Sequence, residues 1–97
     1  MGNPSENQKV GETVKNIHMA TSETMFNLYQ RWQDEKEYED IKDYGEVVRP
    51  MVEAQGATFL RMNKRPFGFK YILGEMTFEH KVVVRRNQLE FIGKRVR

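Results

Sequence analysis

The sequence predicts an α+β fold in which two or three N-terminal helices pack on one face of a C-terminal four-stranded antiparallel β-meander. Apolar residues recur at helical spacing up to Gly56 and alternate with period two after it. The charge changes at the same point, from 6 Lys/Arg against 11 Asp/Glu over residues 1–56 to 10 against 3 over residues 57–97. We therefore interpret the 97 residues as a single domain with an acidic helical part, 1–56, and a basic β part, 57–97.

Three apolar stripes at spacings of three and four residues predict the helices. The first is Val10, Val14 and Ile17; the second is Met25, Leu28, Tyr29 and Trp32; the third is Val47, Val48, Met51 and Val52. Gly56 follows the third stripe, where a glycine commonly ends a helix. Pro50 lies inside this stripe and removes a backbone donor, so we expect a kink there or a break after Arg49.

Polar residues before each stripe predict where the helices begin. Ser5 with Gln8 resembles a capping box, in which each side chain bonds a free backbone N–H of the other residue. Asp43 with Glu46 forms a second pair of this kind before the third stripe. Ser22 is a candidate N-cap if the helix restarts ahead of the second stripe. Whether there are two helices or three depends on this restart.

The β part can be aligned as consecutive hairpins. A two-residue turn at Gly74-Glu75 pairs Leu73 with Met76, Tyr71 with Phe78 and Phe69 with His80, and its leading glycine suits a type II′ turn. A second turn at Arg86-Asn87 pairs Val84 with Leu89 and Val82 with Phe91, although arginine is a poor residue for a type I′ turn. Both turns place the apolar residues on one face. Residues 58–62 are expected to add a first strand, followed by a loop at 63–66.

The opposite face of this sheet is the main candidate binding surface. In the predicted register Lys81, Arg85 and Lys94 have no acidic neighbour, and unpaired cations of this kind bind phosphates by displacing condensed counterions. Loop cations extend the basic surface. The predicted nucleic-acid-binding residues are Lys64, Arg65, Lys70, Lys81, Arg85, Arg86, Lys94 and Arg95.

The same face also carries four apolar residues, Ile72, Val83, Ile92 and Val96. This is a large apolar set for a surface in contact with water, whereas protein interfaces combine an apolar centre with a charged rim. An alternative function is therefore a protein-interaction module, either a dimerising adaptor or an inhibitor, that docks through this face. A merely solvated face is the third interpretation.

The segment from Arg65 to Tyr71 resembles the aromatic strand motif of RNA-recognition domains, whose aromatic side chains stack on bases. Here Phe67, Phe69 and Tyr71 fall on the predicted core face, and the helices precede the strands instead of alternating with them. The sequence therefore does not predict membership of that family.

Few residues indicate chemistry. There is no cysteine, and the two histidines, His18 and His80, are far apart in sequence; His80 is expected to be a hydrogen-bonded core residue. No nucleophilic triad, metal-ligand cluster or glycine-rich phosphate loop is present, and acidic segment 34–40 is either a solvated stretch or a docking surface for a basic partner. We expect no enzymatic activity, cofactor, metal, small-molecule substrate or membrane span, and a cytoplasmic protein that binds nucleic acid, a protein partner or itself.

Overall fold

The computed structural model describes residues 6–35 and 39–97. Within these residues the chain forms two helices and then a four-stranded antiparallel sheet, which confirms the predicted α+β class. The elements are α1 (Glu6–Glu35), α2 (Ile41–Glu53), β1 (Thr58–Lys64), β2 (Phe67–Leu73), β3 (Met76–Arg85) and β4 (Gln88–Arg95).

Helix α1 is one continuous helix of 30 residues, about 45 Å long. The predicted restart at Ser22 is wrong, because the buried stripe runs without interruption from Ile17 through Thr21 to Met25 and Leu28. Thr21 is fully buried on this stripe, and its hydroxyl donates a hydrogen bond to the Ile17 carbonyl at 2.7 Å. The predicted capping box pairs Gln8 with Ser5, and Ser5 lies outside the described residues.

Helix α2 begins earlier than predicted. Its N-cap is Asp40, whose side chain accepts a hydrogen bond from the Lys42 amide at 3.0 Å, so the predicted cap at Asp43 is wrong. The helix also continues through Pro50 to Glu53, which contradicts a break after Arg49. Beyond the helix, Gly56 has a φ of +93°, the conformation expected of a glycine that follows a helix end.

The four strands pair in sequence order, β1-β2-β3-β4. Both predicted hairpin registers are confirmed: Leu73 pairs with Met76 and Phe69 with His80 in one, and Val84 pairs with Leu89 in the other. Strand β1 extends two residues beyond its predicted end, to Lys64, and leaves only a two-residue turn before β2. This strand contains a bulge between Phe59 and Arg61.

The two turns differ in backbone conformation. Gly74 has a φ of +66°, and in the second turn both Arg86 and Asn87 have positive φ, +52° and +64°. Positive φ at both central residues is the type I′ pattern, whose twist matches that of the flanking strands. The register of the hairpin therefore imposes this conformation on Arg86 despite its Cβ.

Both helices cover the same face of the sheet, and the core lies between them. The aromatic residues of β2 are among the most buried in the chain, and the rings of Trp32 in α1 and Tyr44 in α2 pack against Phe67. This confirms the prediction that the helices cover the aromatic face. The buried apolar residues of the sheet are Phe59, Met62, Phe67, Phe69, Tyr71, Phe78 and Val82. The opposite face carries no helix in the part of the chain that the structure describes.

Candidate functional site

The surface of the sheet that points away from the helices is called here the outer face. Alternation along the strands places on it Lys70, Ile72, Thr77, Glu79, Lys81, Val83, Arg85, Glu90, Ile92 and Lys94. Seven of the twelve predicted binding and interface residues are in this list. Val96 is an eighth: it follows β4 directly, and its amide donates to the Thr77 carbonyl at 2.9 Å.

Three further predicted cations lie at one end of the sheet. In a meander the β1–β2 and β3–β4 turns fall at the same end, which brings Arg65 and Arg86 to the end where Arg85 also lies. Lys64 is the last residue of β1 and pairs with Phe67, so it belongs to the helix-facing side of this end but remains exposed. We call Lys64, Arg65, Arg85 and Arg86 the basic end.

Arg95 lies apart from the other predicted cations. It is the last residue of β4 and pairs with Phe78, which places it on the helix-facing side at the far end of the sheet. Its Nε donates to the Arg97 carbonyl at 3.1 Å. The structure therefore does not bring Arg95 together with Lys81 and Arg85.

Glu79 lies in the middle of the outer face and alters its electrostatics. Its neighbours across the sheet are Lys70 on β2 and Lys94 on β4, its carboxylate accepts a hydrogen bond from Asn63 at 3.3 Å, and it is only 7% exposed. A carboxylate between two lysines is stabilised by their charges. The expectation that Lys94 has no acidic neighbour is therefore wrong.

The same correction applies to Arg85, whose Nε lies 4.0 Å from the Glu90 carboxylate. Lys81 differs from both, since its cross-strand partners are Gly68 and Ile92. Of the three cations expected to lack acidic neighbours, Lys81 alone has neither an acidic cross-strand partner nor an ion pair within the described residues. The Glu79–Lys94 pair was not predicted because the predicted hairpin was aligned only near its turn, whereas β3 and β4 pair along their full length.

The apolar residues of the outer face are interleaved with these charges. Ile72, Val83 and Ile92 are half-buried within the chain itself, and Val96 is 39% exposed. In contrast, the aromatic rings of the β2 motif, Phe67, Phe69 and Tyr71, are buried on the helix-facing side. Among the described strands, the outer face therefore offers cations and aliphatic groups but no ring on which a base could stack.

A second cluster, which the sequence did not predict, lies on the helix-facing side. His80 is fully buried, and its Nε2 lies 2.8 Å from the Tyr71 hydroxyl while its Nδ1 lies 3.0 Å from the Nδ1 of His18. The His18 ring stacks on Phe91 with a centroid separation of 4.5 Å. The prediction of a hydrogen-bonded core histidine is confirmed, but His18 as its partner could be found only once the rotation of α1 over the sheet was known.

Each ring nitrogen of His80 has one partner in this cluster. Nε2 contacts the Tyr71 hydroxyl and Nδ1 contacts Nδ1 of His18. A neutral imidazole donates from one nitrogen and accepts at the other, so the neutral His80 ring can use both contacts as hydrogen bonds. Burial lowers the pKa of His80 to about 4, with a further contribution from the charge of His18, and burial also lowers the pKa of His18. Both rings are therefore neutral at pH 7.

Part of the acidic segment has a structural role. Glu39 accepts hydrogen bonds from Arg31 in α1, at 2.6 Å, and from the Tyr44 hydroxyl in α2. The hydrogen bond from Tyr44 is the main reason that the pKa of Glu39 is lowered. Glu39 and Asp40 thus hold the start of α2 in place, whereas residues 36–38 lie outside the described part of the chain.

No group of three or more His, Asp or Glu side chains in the described residues is arranged to hold a metal ion. Neither α1 nor α2 is both long and apolar enough to cross a membrane. No protein-family model, curated protein or solved structure matches this chain.

Proposed function

We propose that the chain is a non-catalytic module that binds nucleic acid through the outer face and the basic end. The observation that carries this proposal is the concentration of cations on a sheet surface that neither helix covers. The two helices contact the other face of the sheet, and most of the acidic residues belong to the helical part. A polyanion approaching the outer face would therefore meet the basic half of the molecule first.

The chemistry of this face favours contacts with phosphates over contacts with bases. Lysine and arginine bind the sugar–phosphate backbone without reading its sequence. The outer face lacks aromatic side chains in the described strands, and α2 carries only Lys42 and Arg49 against Asp43, Glu46 and Glu53. A helix with this balance is poorly suited to a groove lined with phosphates. We therefore infer binding that depends strongly on salt and weakly on sequence.

The test replaces Lys81, Arg85 and Lys94 with alanine and measures affinity for an oligonucleotide over a series of salt concentrations. Each lost phosphate contact lowers the slope of log affinity against log salt by about 0.9 for a duplex and about 0.7 for a single strand. A matched control removes three helix cations, Lys9, Lys15 and Lys42, and changes the net charge equally. The proposal fails if the two triple variants have the same affinity and slope.

A second variant removes a negative charge from the outer face instead of positive charges. Glu79→Gln removes the one carboxylate between Lys70 and Lys94 while keeping an oxygen that can accept from Asn63. If phosphates bind at this surface, affinity should rise, because a negative charge that repels them and competes for the two lysines is gone. Unchanged affinity in this variant would place the binding surface elsewhere.

The second candidate function is protein interaction, with the outer face as the interface. The observation that favours it is the half-buried set Ile72, Val83 and Ile92, with Val96 at its border, surrounded by charged residues. Interfaces have this anatomy of apolar centre and polar rim. A second copy of the chain is the simplest partner, because Lys70, Glu79 and Glu90 supply both signs of charge on one surface.

Light scattering at low and high salt, with and without an oligonucleotide, separates the two functions. A dimer that persists at high salt and does not bind the oligonucleotide supports protein interaction through the outer face. Ile92→Asp should then convert the dimer to a monomer. If the chain is monomeric at high concentration and Ile92→Asp alters only the affinity for nucleic acid, the interface is excluded.

A further inference from the structure

Between α2 and the edge strand β1 lies a groove whose floor belongs to the helix-facing side of the sheet. Its volume is about 430 Å³, within the range of about 300–1,000 Å³ typical of small-molecule sites. The α2 residues along it, Ile41, Lys42, Gly45, Glu46 and Arg49, share one side of the helix.

The floor of the groove is apolar and belongs to the core. Ile41 and Met62 are buried, and Phe59 is 6% exposed. Gly45 is itself buried and lets α2 lie close to them, since a Cβ at this position would be in van der Waals contact, 3.5 Å from the Phe59 ring and 3.6 Å from Met62 Cγ. Any side chain longer than alanine at position 45 would therefore extend into the groove or against its floor.

The bulge in β1 shapes the opposite wall. Phe59 pairs with Tyr71 and Arg61 pairs with Lys70, so Leu60 is the extra residue of the bulge. In a regular strand, alternate residues would point away from the groove. Here the four consecutive residues 59–62 all line it, and Leu60 is 38% exposed. Bulges of this kind re-aim side chains and are common beside functional sites.

Cations predominate around the opening. Lys42, Arg49 and Arg61 line the groove against the single acid Glu46, although the helical part as a whole is acidic. The Arg49 guanidinium lies over the Phe59 ring, 5.3 Å from its centroid. This contact holds the cation above the apolar floor at small entropic cost. Arg61 lines the opening from β1, at a position that the register pairs with Lys70 of the outer face.

We propose that this groove binds a small carboxylate with an apolar body, such as a medium-chain fatty acid. The Arg49 guanidinium takes the carboxylate, for which its planar donor geometry is suited, and Arg61 adds a second positive charge at the opening. The apolar chain lies over Phe59, Met62 and Leu60. The volume of the groove suits a ligand of this size rather than a peptide or a nucleic acid.

The test follows the backbone amide signals of the full chain by NMR during titration with decanoate below its micelle concentration. Decanoate should produce saturable shifts centred on Gly45 and residues 59–62. Acetate, which has the charge without the chain, and decyltrimethylammonium, which has the chain with the opposite charge, should not. Equal binding of decyltrimethylammonium, or no saturable shift with decanoate, overturns the proposal.

Two variants locate the site. Replacing both Arg49 and Arg61 with glutamine should weaken decanoate binding about tenfold, because each exposed charge contact contributes a factor of a few. The matched control replaces Arg65 and Arg86 with glutamine, which changes the net charge equally outside the groove, and should leave the affinity unchanged. Equal weakening by both variants overturns the proposal. Gly45→Leu should abolish decanoate binding. If this variant does not fold, the comparison of the two double arginine variants tests the proposal.

Discussion

At the scale of single residues, Gly93 is the position at which one added carbon has a large effect. A Cβ there would lie 2.7 Å from His80 Cε1 and 2.8 Å from its Nδ1, closer than side-chain packing permits. His80 is itself held by Tyr71, so its ring cannot move without breaking a buried hydrogen bond. We expect Gly93→Ala to lower the free energy of unfolding by about 1–3 kcal/mol, as overpacking does in other cores.

Urea denaturation measures this change, and Gly11→Ala supplies the matched control. Nothing lies within 4 Å of a Cβ at Gly11, which is an exposed position in α1. The same substitution there should raise the free energy of unfolding by up to about 1 kcal/mol, since alanine favours a helix over glycine. A Gly93→Ala variant as stable as the unchanged chain would show that His80 is not tightly held.

The pair His18–His80 makes stability depend on pH. The pKa of His80 is about 4 in the folded chain, against about 6.5 when unfolded. Between these values the unfolded chain binds protons that the folded chain does not, so stability falls as the pH falls below about 6.5. At about 1.4 kcal/mol per pKa unit, His80 alone accounts for a loss of about 3 kcal/mol by pH 4.

Unfolding curves between pH 5.5 and 7 measure the first part of this loss, above the range in which the unfolded chain begins to protonate Glu39, whose pKa is lowered by folding. The comparison variant combines His80→Leu with Tyr71→Phe, which removes the histidine together with the hydroxyl that would lose its partner. Its stability should vary much less over this pH range. An unchanged dependence on pH would assign the effect to other groups.

At the scale of elements, the β part was predictable and the helix boundaries were not. Strand pairing follows from alternation, and the two hairpins are consistent with each other because one apolar face must be buried. Capping signals are local, and packing overrides them. Ser22 lies between the buried residues Thr21 and Met25, whose packing stabilises a continuous α1 more than a cap at Ser22 would stabilise a new helix.

The groove and the histidine pair depend on how separate elements pack together, which local sequence patterns do not predict. His18 and His80 are 62 residues apart, and their contact requires the rotation of α1 over the sheet. The bulge at Leu60 lies in a strand without strict alternation, so its register could not be inferred. The basic residues of the outer face were predictable from the register, but the burial of Glu79 among lysines was not.

The β3–β4 turn offers a prediction at this scale. Arg86 adopts a φ of +52°, which costs a residue with a Cβ about 1–2 kcal/mol. Replacing Arg86-Asn87 with Asn-Gly, the preferred type I′ pair, should raise the free energy of unfolding by about 1 kcal/mol. Urea denaturation measures the gain.

The other turn provides the control for this change. Glu75 does not have positive φ, so Glu75→Gly should lower stability slightly by increasing the freedom of the unfolded chain. If glycine stabilises both turns equally, strain at Arg86 is not the cause. Because Arg86 belongs to the basic end, the turn variant should also bind nucleic acid less tightly.

At the scale of the whole molecule, neither part of the chain can form its core alone. The helix-facing side of the sheet buries Phe59, Phe69 and Tyr71 only because α1 and α2 cover them. Residues 57–97 alone should therefore aggregate or remain unstructured, and residues 1–56 should be at most partly helical. Addition of the two fragments should restore dispersed NMR signals. Cooperative unfolding of fragment 57–97 by itself would contradict this dependence.

The alternation that gives the sheet two unlike faces also separates two kinds of evolutionary constraint. In β2, substitutions at Phe69 and Tyr71 disturb the core, whereas the residues between them, Lys70 and Ile72, contact no helix. Descendants of this sequence can therefore accumulate substitutions at these alternate positions without unfolding the chain. A complete mutational scan selected for folding alone should show tolerance that rises and falls with every second residue in β2 from Phe69 to Leu73, and again in β3 from Val82 to Arg85.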